Sequence, residues 1–291
     1  MAHVSCTRVG SGTVSTVQDD EVREDDRVNT HQPDPAEPRV EEIEPGTHRA
    51  TLDGLSVEAR LGRIHGRHGV VQLPEDATPD QLRALGHALA DAVGAPLAAK
   101  AVPGTDRHRL LTEAGATAYQ VCPPSMIDCT DPANLAWARS ADPGGAVVGD
   151  LRGRSAEEIL GLYLDLYVWV HADWSPVMDV DHTREVFAEM LGEELDPGRS
   201  VLVEREGRPA AMGFVFPEGE GWVVVGEAVD PDAPHAAEDV LTCLQALVGR
   251  LGEDGVRELL VDGHVTDPHW YPALQQVPHV TGEGLELLEL R

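Results

Sequence analysis

Apolar residues recur along this chain with two different spacings, and segments with these spacings occur in the same order twice. A short apolar run, a helical stripe, a second apolar run, a second helix and a third apolar run follow one another between Val70 and Val121, and again between Val223 and Leu290. Alternation of apolar and polar residues is typical of strands, and a spacing of three or four residues is typical of helices. An internal repeat of this kind predicts an α/β (α+β) protein built from two copies of one fold.

The first copy has a well-marked helix start. Thr78 can cap the first amides, Pro79 suits the first helical position, and Gln81 completes a capping box. The apolar residues that follow recur at helical spacing: Leu82, Leu85, Leu89 and Val93. The pattern therefore predicts a helix from Pro79 to Gly94, with a strand on either side.

The second copy is longer at its beginning. Ser155 opens a helix with an apolar stripe, a second helix is predicted around 183–195, and residues 200–217 read as a hairpin about Gly207. The first copy has no equivalent of the two opening helices. The sequence therefore predicts a mixed central sheet flanked by helices in each unit, with the N-terminal repeat truncated.

Breaks in the apolar pattern divide the chain into four predicted segments. Residues 1–48 are acidic, contain several prolines and have few large apolar side chains, so we expect disorder. Residues 49–127 are the truncated repeat. Residues 128–152, with Pro143-Gly144-Gly145, are predicted to be a linker, and residues 153–291 are the complete repeat.

Charge narrows the range of partners. Lys+Arg is 22 and Asp+Glu is 51, for a formal net charge of −29. Such a field repels polyanions, so we expect no DNA partner. No apolar run approaches the ~20 residues of a membrane helix, and no secretory signal is visible at the N-terminus. We expect a cytoplasmic monomer or homodimer that does not bind a membrane.

The cysteines and histidines predict neither a disulfide framework nor a metal site. None of the four cysteines belongs to a C-x-x-C pair. Cys122 and Cys243 are predicted to be small buried hydrophobes, because no sequence neighbour activates either thiol. His264 and His269, with two aspartates nearby, lack the spacing of a structural zinc site.

Two stretches of the second copy resemble a known family. Residues 199–214, from Arg-Ser-Val-Leu-Val-Glu to Met-Gly-Phe, resemble the hairpin of the GCN5-related N-acetyltransferases (GNAT). Residues 227–231, Glu-Ala-Val-Asp-Pro, resemble the strand end that precedes their cofactor loop, and residues 110–116 resemble the close of the fold. Two such units in one chain are similar to the tandem architecture of the mycothiol synthases.

The resemblance implies transfer of an acyl group to an amine of a small molecule by direct attack. It implies that Glu227 is the general base, because the family often carries a glutamate on this strand. It also implies that His171 lies beside the acceptor and that Tyr271 is a candidate general acid. A solvated carboxylate, an ordinary polar loop and simple packing are the respective alternatives.

The family binds the pyrophosphate of acyl-coenzyme A in the loop after this strand, and the resemblance places that loop at Val229, Ala233, His235, Ala236 and Ala237. The family's glycines are absent here, and Pro234 has no amide to donate. Three functions stay open. They are acyl transfer from acyl-coenzyme A, acyl transfer from a carrier-borne donor such as an aminoacyl-tRNA or a carrier-protein thioester, and non-catalytic binding or scaffolding on a GNAT frame.

Overall fold

The computed structural model describes residues 37–291. Most of the segment predicted to be disordered, residues 1–36, lies outside the described residues. Within the remainder of that segment, residues 39–44 form an edge strand. Only Val40 and Ile43 of this strand are half-buried, and its other side chains are exposed. The polar composition therefore conceals a strand that pairs with its neighbour mainly through the backbone.

The first copy forms a seven-stranded sheet in the order β1-β2-β3-β4-β5-β14-β6. Its strands are β1 (Arg39–Glu44), β2 (Thr47–Leu52), β3 (Leu55–Leu61), β4 (His68–Gln72), β5 (Leu97–Ala101), β6 (Thr117–Cys122) and β14 (Leu285–Leu290). β4 and β5 are parallel, and the other pairs are antiparallel. A turn at Pro45–Gly46 joins β1 directly to β2, so no helix separates these strands in the described part of this copy.

The second copy forms another seven-stranded sheet, in the order β13-β7-β12-β11-β10-β9-β8. Its strands are β7 (Met126–Ile127), β8 (Val147–Gly149), β9 (Val201–Arg205), β10 (Arg208–Glu218), β11 (Gly221–Ala228), β12 (Leu259–Asp262) and β13 (Val280–Thr281). β11 and β12 are the parallel pair.

Seven helices flank the two sheets within the described residues: α1 (Pro79–Val93), α2 (Asp106–Glu113), α3 (Pro132–Arg139), α4 (Ala156–His171), α5 (Val180–Glu194), α6 (Ala236–Glu253) and α7 (Trp270–Leu274). The capping box of α1 is confirmed, with Thr78 and Gln81 bonded to each other's backbone. Ser155 caps α4 by accepting from the amide of Glu158. These local signals are strong because unpaired amides at a helix start need an acceptor.

The two copies exchange their last strands. β14, at the end of the chain, lies between β5 and β6 of the first sheet, while β7, which follows the first copy, lies between β12 and β13 of the second. The pattern predicts a strand at 285–290, and this is confirmed. Its pairing with the first copy could not be predicted, because the sequence of an apolar strand does not indicate which sheet the strand joins.

Residues 128–152, predicted to be a linker, contain α3 and β8. α3 packs on α6, where Ala138 contacts the backbone region of Gly249. β8 pairs with β9 and extends the second sheet by one strand. The prolines and glycines that suggested a linker lie at the start of α3 and in the turn before β8.

Three apolar clusters hold the fold together. One lies between the first sheet and α1, and includes Leu288 of the exchanged strand. A second lies between the second sheet and α6. The third lies on the opposite face of the second sheet, under α4 and α5, and is centred on Tyr163 and Phe214. The aromatic side chains of this third cluster are continuous with those of the candidate site.

Candidate functional site

The strands β11 and β12 separate at one end, and a tryptophan fills the gap. The two strands pair from Trp222 opposite Leu259 as far as Val225 opposite Asp262, and then diverge. Trp270, at the start of α7, is 1% exposed. A Cβ added at Gly226 or Gly263 would meet its indole at 2.7 or 2.9 Å. The two glycines therefore make room for this side chain, and the side chain closes the gap.

Glu227 holds that tryptophan in place. The residue is fully buried, and its Oε2 accepts from the main-chain N–H groups of His269 at 3.1 Å and Trp270 at 2.9 Å. Its Oε1 accepts from the amide of Ala228 and lies 3.0 Å from Nδ1 of His269. Burial raises the pKa of Glu227, while these hydrogen bonds and the charge of His269 act to lower it.

A carboxylate in this setting caps the start of α7. Both of its oxygens have two hydrogen-bond partners, and neither faces open space. This geometry does not favour the role of general base, which stays a prediction. Tyr271, the candidate acid, is half-buried on the same short helix. No hydrogen bond or ring contact of its side chain links it to Glu227 or His171 among residues 37–291.

Most of the chain's aromatic side chains lie together on the side of β12 that faces away from Trp270 and Glu227. All 3 Phe and three of the 4 Tyr residues belong to one network of ring contacts with Trp174 and three histidines. In an aromatic-poor chain this concentration is notable. The network runs from the core under α4 to β6 of the first sheet, so it lies where the two copies meet.

His171 lies in the middle of this network. Its ring stacks on Tyr167 with centroids 4.0 Å apart, and lies 5.1 Å from the ring of His65. Nδ1 donates to the carbonyl of Tyr167 at 2.8 Å, which leaves the lone pair on Nε2. Burial lowers the pKa of His171 to about 3, so the ring is neutral at pH 7.

His65 comes from the first copy, in the turn between β3 and β4. Its Nε2 lies 2.7 Å from the hydroxyl of Tyr167. Burial lowers the pKa of His65 and raises that of Tyr167. Two neutral histidines and a neutral tyrosine therefore form this part of the junction. Arg67 joins the copies nearby, since it donates to the carbonyl of Trp174 at 2.9 Å and pairs with Glu289 at 3.1 Å.

His264 follows β12 and is the charged member of the network. Its ring lies 4.5 Å from that of Trp174. Asp267 Oδ2 accepts from the main-chain N–H of His264 at 2.6 Å and lies 3.4 Å from its Nδ1. Burial alone would lower the pKa of His264, but the neighbouring side chains of Asp267, Cys122 and Asp262 outweigh it and raise the pKa to about 10.

Asp262, the last residue of β12, is recessed beside this histidine. Burial raises its pKa, against the charges of His264 and Lys100, which lower it. Its side chain is half-buried, and no hydrogen bond to its carboxylate occurs in the described part of the chain. Lys100, the chain's only lysine, belongs to the first copy. Its charge acts on the carboxylate of Asp262 in the second copy, across the junction.

The residues predicted to bind coenzyme A do not form a phosphate cradle. The amides of Val229, Ala233 and Ala236 are already bonded, to the carbonyls of Ala210, Asp230 and Ala233 at 2.9, 3.2 and 3.0 Å. His235 is exposed, its Nδ1 lies 2.9 Å from the carboxylate of Glu238, and Ala237 is exposed beside it. Glu238 and Asp239 put two carboxylates in the first turn of α6.

The acidic side chains at the start of α6 also have partners within the chain. Asp239 is paired with Arg205 through contacts of 2.6 and 3.0 Å. A pyrophosphate needs free amides at a helix N-terminus and no competing anion. The residues present therefore do not fit coenzyme A. The corresponding loop of the first copy does not fit a pyrophosphate either. Thr78 Oγ1 accepts from the amide of Gln81, and Pro79 has no N–H group.

Comparison with known proteins identifies the fold. No protein-family model matches the sequence, and no curated protein matches it significantly. A GCN5-related N-acetyltransferase from Sphaerobacter thermophilus superposes with a TM-score of 0.57 at 13% identity, over 85% of this chain and 81% of that one. A tandem GNAT protein from the clavulanic acid biosynthesis pathway, without AcCoA, gives 0.51 at 16%, over 88% and 83%.

The chain therefore has the GNAT fold in a tandem arrangement, which confirms the predicted fold class. At these identities the likeness concerns the fold alone. Among residues 37–291, no group of three or more His, Cys, Asp or Glu side chains is placed to hold a metal ion. None of the helices in that range has the length and apolar content needed to cross a bilayer.

Sequence reasoning singled out His171, whose role stays a prediction, but did not single out most of the residues that surround it. Cys243 is buried as predicted, whereas the prediction for Cys122 is wrong: the residue is half-buried and interacts with His264. His65 and Cys122 belong to the first copy and His264 to the second, so no local pattern joins them. The chain's single lysine, Lys100, was the one sequence feature that could have pointed to this cluster. It does so only once the contact between the two copies is known.

Proposed function

We propose that this chain is a GNAT-type acyltransferase that transfers an acyl group from a carrier-borne donor to an amine of a small molecule. The observation that carries the proposal is the cluster of ionisable groups at the open end of β12, contributed by both copies. Shifted pKa values in one cluster are more typical of reacting groups than of a scaffold. The pKa is lowered at His171 and raised at His264 and Asp262.

Two of these groups have properties that suit acyl transfer. A recessed carboxylate with a raised pKa, such as Asp262, can accept the proton that an attacking amine loses. A histidine that is positively charged at pH 7, such as His264, can stabilise the negative charge that develops on the acyl oxygen. In this proposal Asp262 takes the role that the family resemblance assigns to Glu227.

The donor is inferred from the loops. Because neither loop fits the pyrophosphate of coenzyme A, the nucleotide part of that donor would contribute little binding energy. A donor presented by its own carrier does not depend on those loops. The net charge of −29 opposes a tRNA carrier and leaves a protein-bound thioester as the better match.

Two thioesters separate the donor hypotheses. Acetyl-coenzyme A and the acetyl thioester of N-acetylcysteamine carry the same reacting group, and only the first carries the nucleotide. We expect kcat/KM values within about tenfold of each other across a panel of primary amines, since a missing cradle gives no preference. A preference for acetyl-coenzyme A of about a hundredfold or more would overturn the proposal.

The proton acceptor can be tested in the same assay. Asp262→Asn should lower turnover by roughly a hundredfold, the usual scale for loss of a general base. Asp165→Asn is the matched control, because Asp165 is exposed on α4. Equal rates in the two variants would remove Asp262 from the reaction.

The second candidate is a non-catalytic binding protein on the GNAT frame. One specific observation favours it: Trp270 fills the gap between β11 and β12, and Glu227 is fully committed to holding it there. This candidate predicts no turnover with either thioester and any amine. It also predicts that Asp262→Asn leaves the biological activity intact.

A further inference from the structure

A thiol, an imidazole and a carboxylate meet at the junction between the copies. Cys122 ends β6 of the first sheet, while His264 and Asp267 follow β12 of the second. The main chains are held side by side there, because Val265 N–H donates to the carbonyl of Val121 at 3.0 Å. The next contact along, between Gln120 Nε2 and Thr266 Oγ1, is 2.7 Å. The neighbours of Cys122 and of His264 are therefore bonded to each other across the junction.

The side chains continue this arrangement. The pairing of Val265 with Val121 puts Cys122 and His264 at facing positions, and the thiol lies near enough to the ring to act on its pKa. The ring also lies beside Asp267, with Nδ1 3.4 Å from Oδ2. Asp267 is itself fixed, since the same Oδ2 accepts from the main-chain N–H of His264 at 2.6 Å. A nucleophile next to a base that a third group orients is the general arrangement of covalent catalysis.

Access distinguishes Cys122 from the other described cysteines. Cys122 is half-buried, whereas Cys129 and Cys243 are buried. Burial raises the pKa of both buried thiols, so they stay protonated and unreactive. The rings of Trp174 and Tyr119 lie beside the site and offer an apolar wall.

We propose that Cys122 is a nucleophile that accepts the acyl group from a thioester donor, with His264 as its acid–base partner and Asp267 as the residue that orients His264. The inference rests on the proposed acyl transfer and adds a covalent step to it. It replaces direct attack by the amine with two successive transfers.

The chemistry balances without any further reagent. The Cys122 thiolate attacks the carbonyl carbon of the donor thioester, a new C–S bond to Cys122 forms, and the old C–S bond breaks. The departing thiolate takes the proton of the His264 imidazolium. In the second half the amine attacks the acylated Cys122, a C–N bond forms and the Cys122 thiolate leaves. Asp262 accepts the proton that the amine loses, as in the proposed function, and that proton then returns to His264. Nothing is oxidised or reduced.

Alkylation measures the reactivity of the thiol independently of acyl transfer. Full-length protein carrying Cys6→Ser is treated with iodoacetamide at pH 7, and the modified peptides are quantified by mass spectrometry. We expect Cys122 to react at least about tenfold faster than in the His264→Gln variant, because an adjacent acid–base group activates a nucleophile. Equal rates in the two proteins would overturn the proposal.

Acylation tests the covalent step itself. The same protein is mixed with the acetyl thioester of N-acetylcysteamine, and intact mass and peptide mapping locate the acetyl group. We expect one acetyl group on Cys122, lost in Cys122→Ser and discharged by added amine. An acetyl group found only on other residues would overturn the proposal, even if alkylation is fast.

The outcomes separate this inference from the proposed function. If Cys122→Ser retains full amine acylation, the covalent step is wrong and the acyltransferase proposal stands. If Cys122 is acetylated but no amine discharges it, the nucleophile is established and the transfer to an amine is wrong. Circular dichroism and the melting temperature of each variant show whether a loss of reactivity reflects unfolding.

Discussion

Trp270 offers the sharpest test of how the gap between β11 and β12 is filled. The side chain is 1% exposed and packs against Gly226 of β11 and against Gly263, the residue after β12. Removing a buried tryptophan costs about 3–5 kcal/mol of folding free energy, from lost burial and the cavity left behind. We therefore expect Trp270→Ala to destabilise the protein by about 3–5 kcal/mol.

Gly263→Ala perturbs the same contact from the opposite side. An added Cβ would lie 2.9 Å from Trp270 Cδ1 and 3.4 Å from Asp267 Oδ2. Overpacking of this kind costs about 1–3 kcal/mol. In the Trp270→Ala background the indole is absent, so the added methyl enters the space that the indole leaves. The cost of Gly263→Ala should then fall to about zero or become a gain.

The assay is a double-mutant cycle by urea denaturation, followed by far-ultraviolet circular dichroism at pH 7. The expected coupling between the two changes is at least about 1 kcal/mol. Gly161→Ala on α4 is the matched control, because nothing lies within 4 Å of a Cβ at that position. It should be additive with Trp270→Ala to within about 0.5 kcal/mol. Additive behaviour of Gly263→Ala would refute the claim that the indole fills the gap.

Three further outcomes are expected. Leu288→Ala, at a fully buried position of β14, should cost about 2–5 kcal/mol. It should speed hydrogen exchange first in β5 and β6, and loss of protection confined to the second sheet would contradict the strand exchange. Arg205→Ala leaves the carboxylate of Asp239, 3% exposed, unpaired and should lower the stability measured by chemical denaturation; the double variant with Asp239→Ala should lose less. His171 has its pKa lowered from 6.5 to about 3, so the unfolded chain binds more protons between these values and stability falls as the pH drops from about 6.5 to 3. In His171→Gln that acid limb of the stability curve should be flatter, and an unchanged slope would refute the assignment.

How much of the site can be predicted from the sequence depends on whether its members are neighbours along the chain. His171 follows a well-marked helix and is found by its position. Glu227 is found by its place in an apolar strand, yet its role depends on α7, whose amides occupy both of its oxygens. A strand pattern predicts that a carboxylate is buried and does not predict what it binds.

Local patterns determine the elements and their order. Thr78 and Ser155 begin helices because unpaired amides need an acceptor within three residues, and the apolar spacing in α1 follows from helix geometry. These are short-range effects of the backbone, so they can be read without knowledge of the fold. The order of the elements then limits the architecture to a tandem GNAT fold.

Only the tertiary structure decides what meets across the junction. β14 joins the first sheet and β7 the second because each provides a strand that the other copy lacks, and hydrogen bonding along a strand does not depend on which copy the chain has come from. That exchange brings Cys122 to His264 over a separation of more than a hundred residues. The thiol's environment is therefore a property of the folded pair of repeats, because no residue near Cys122 in the sequence carries the charge that it meets there.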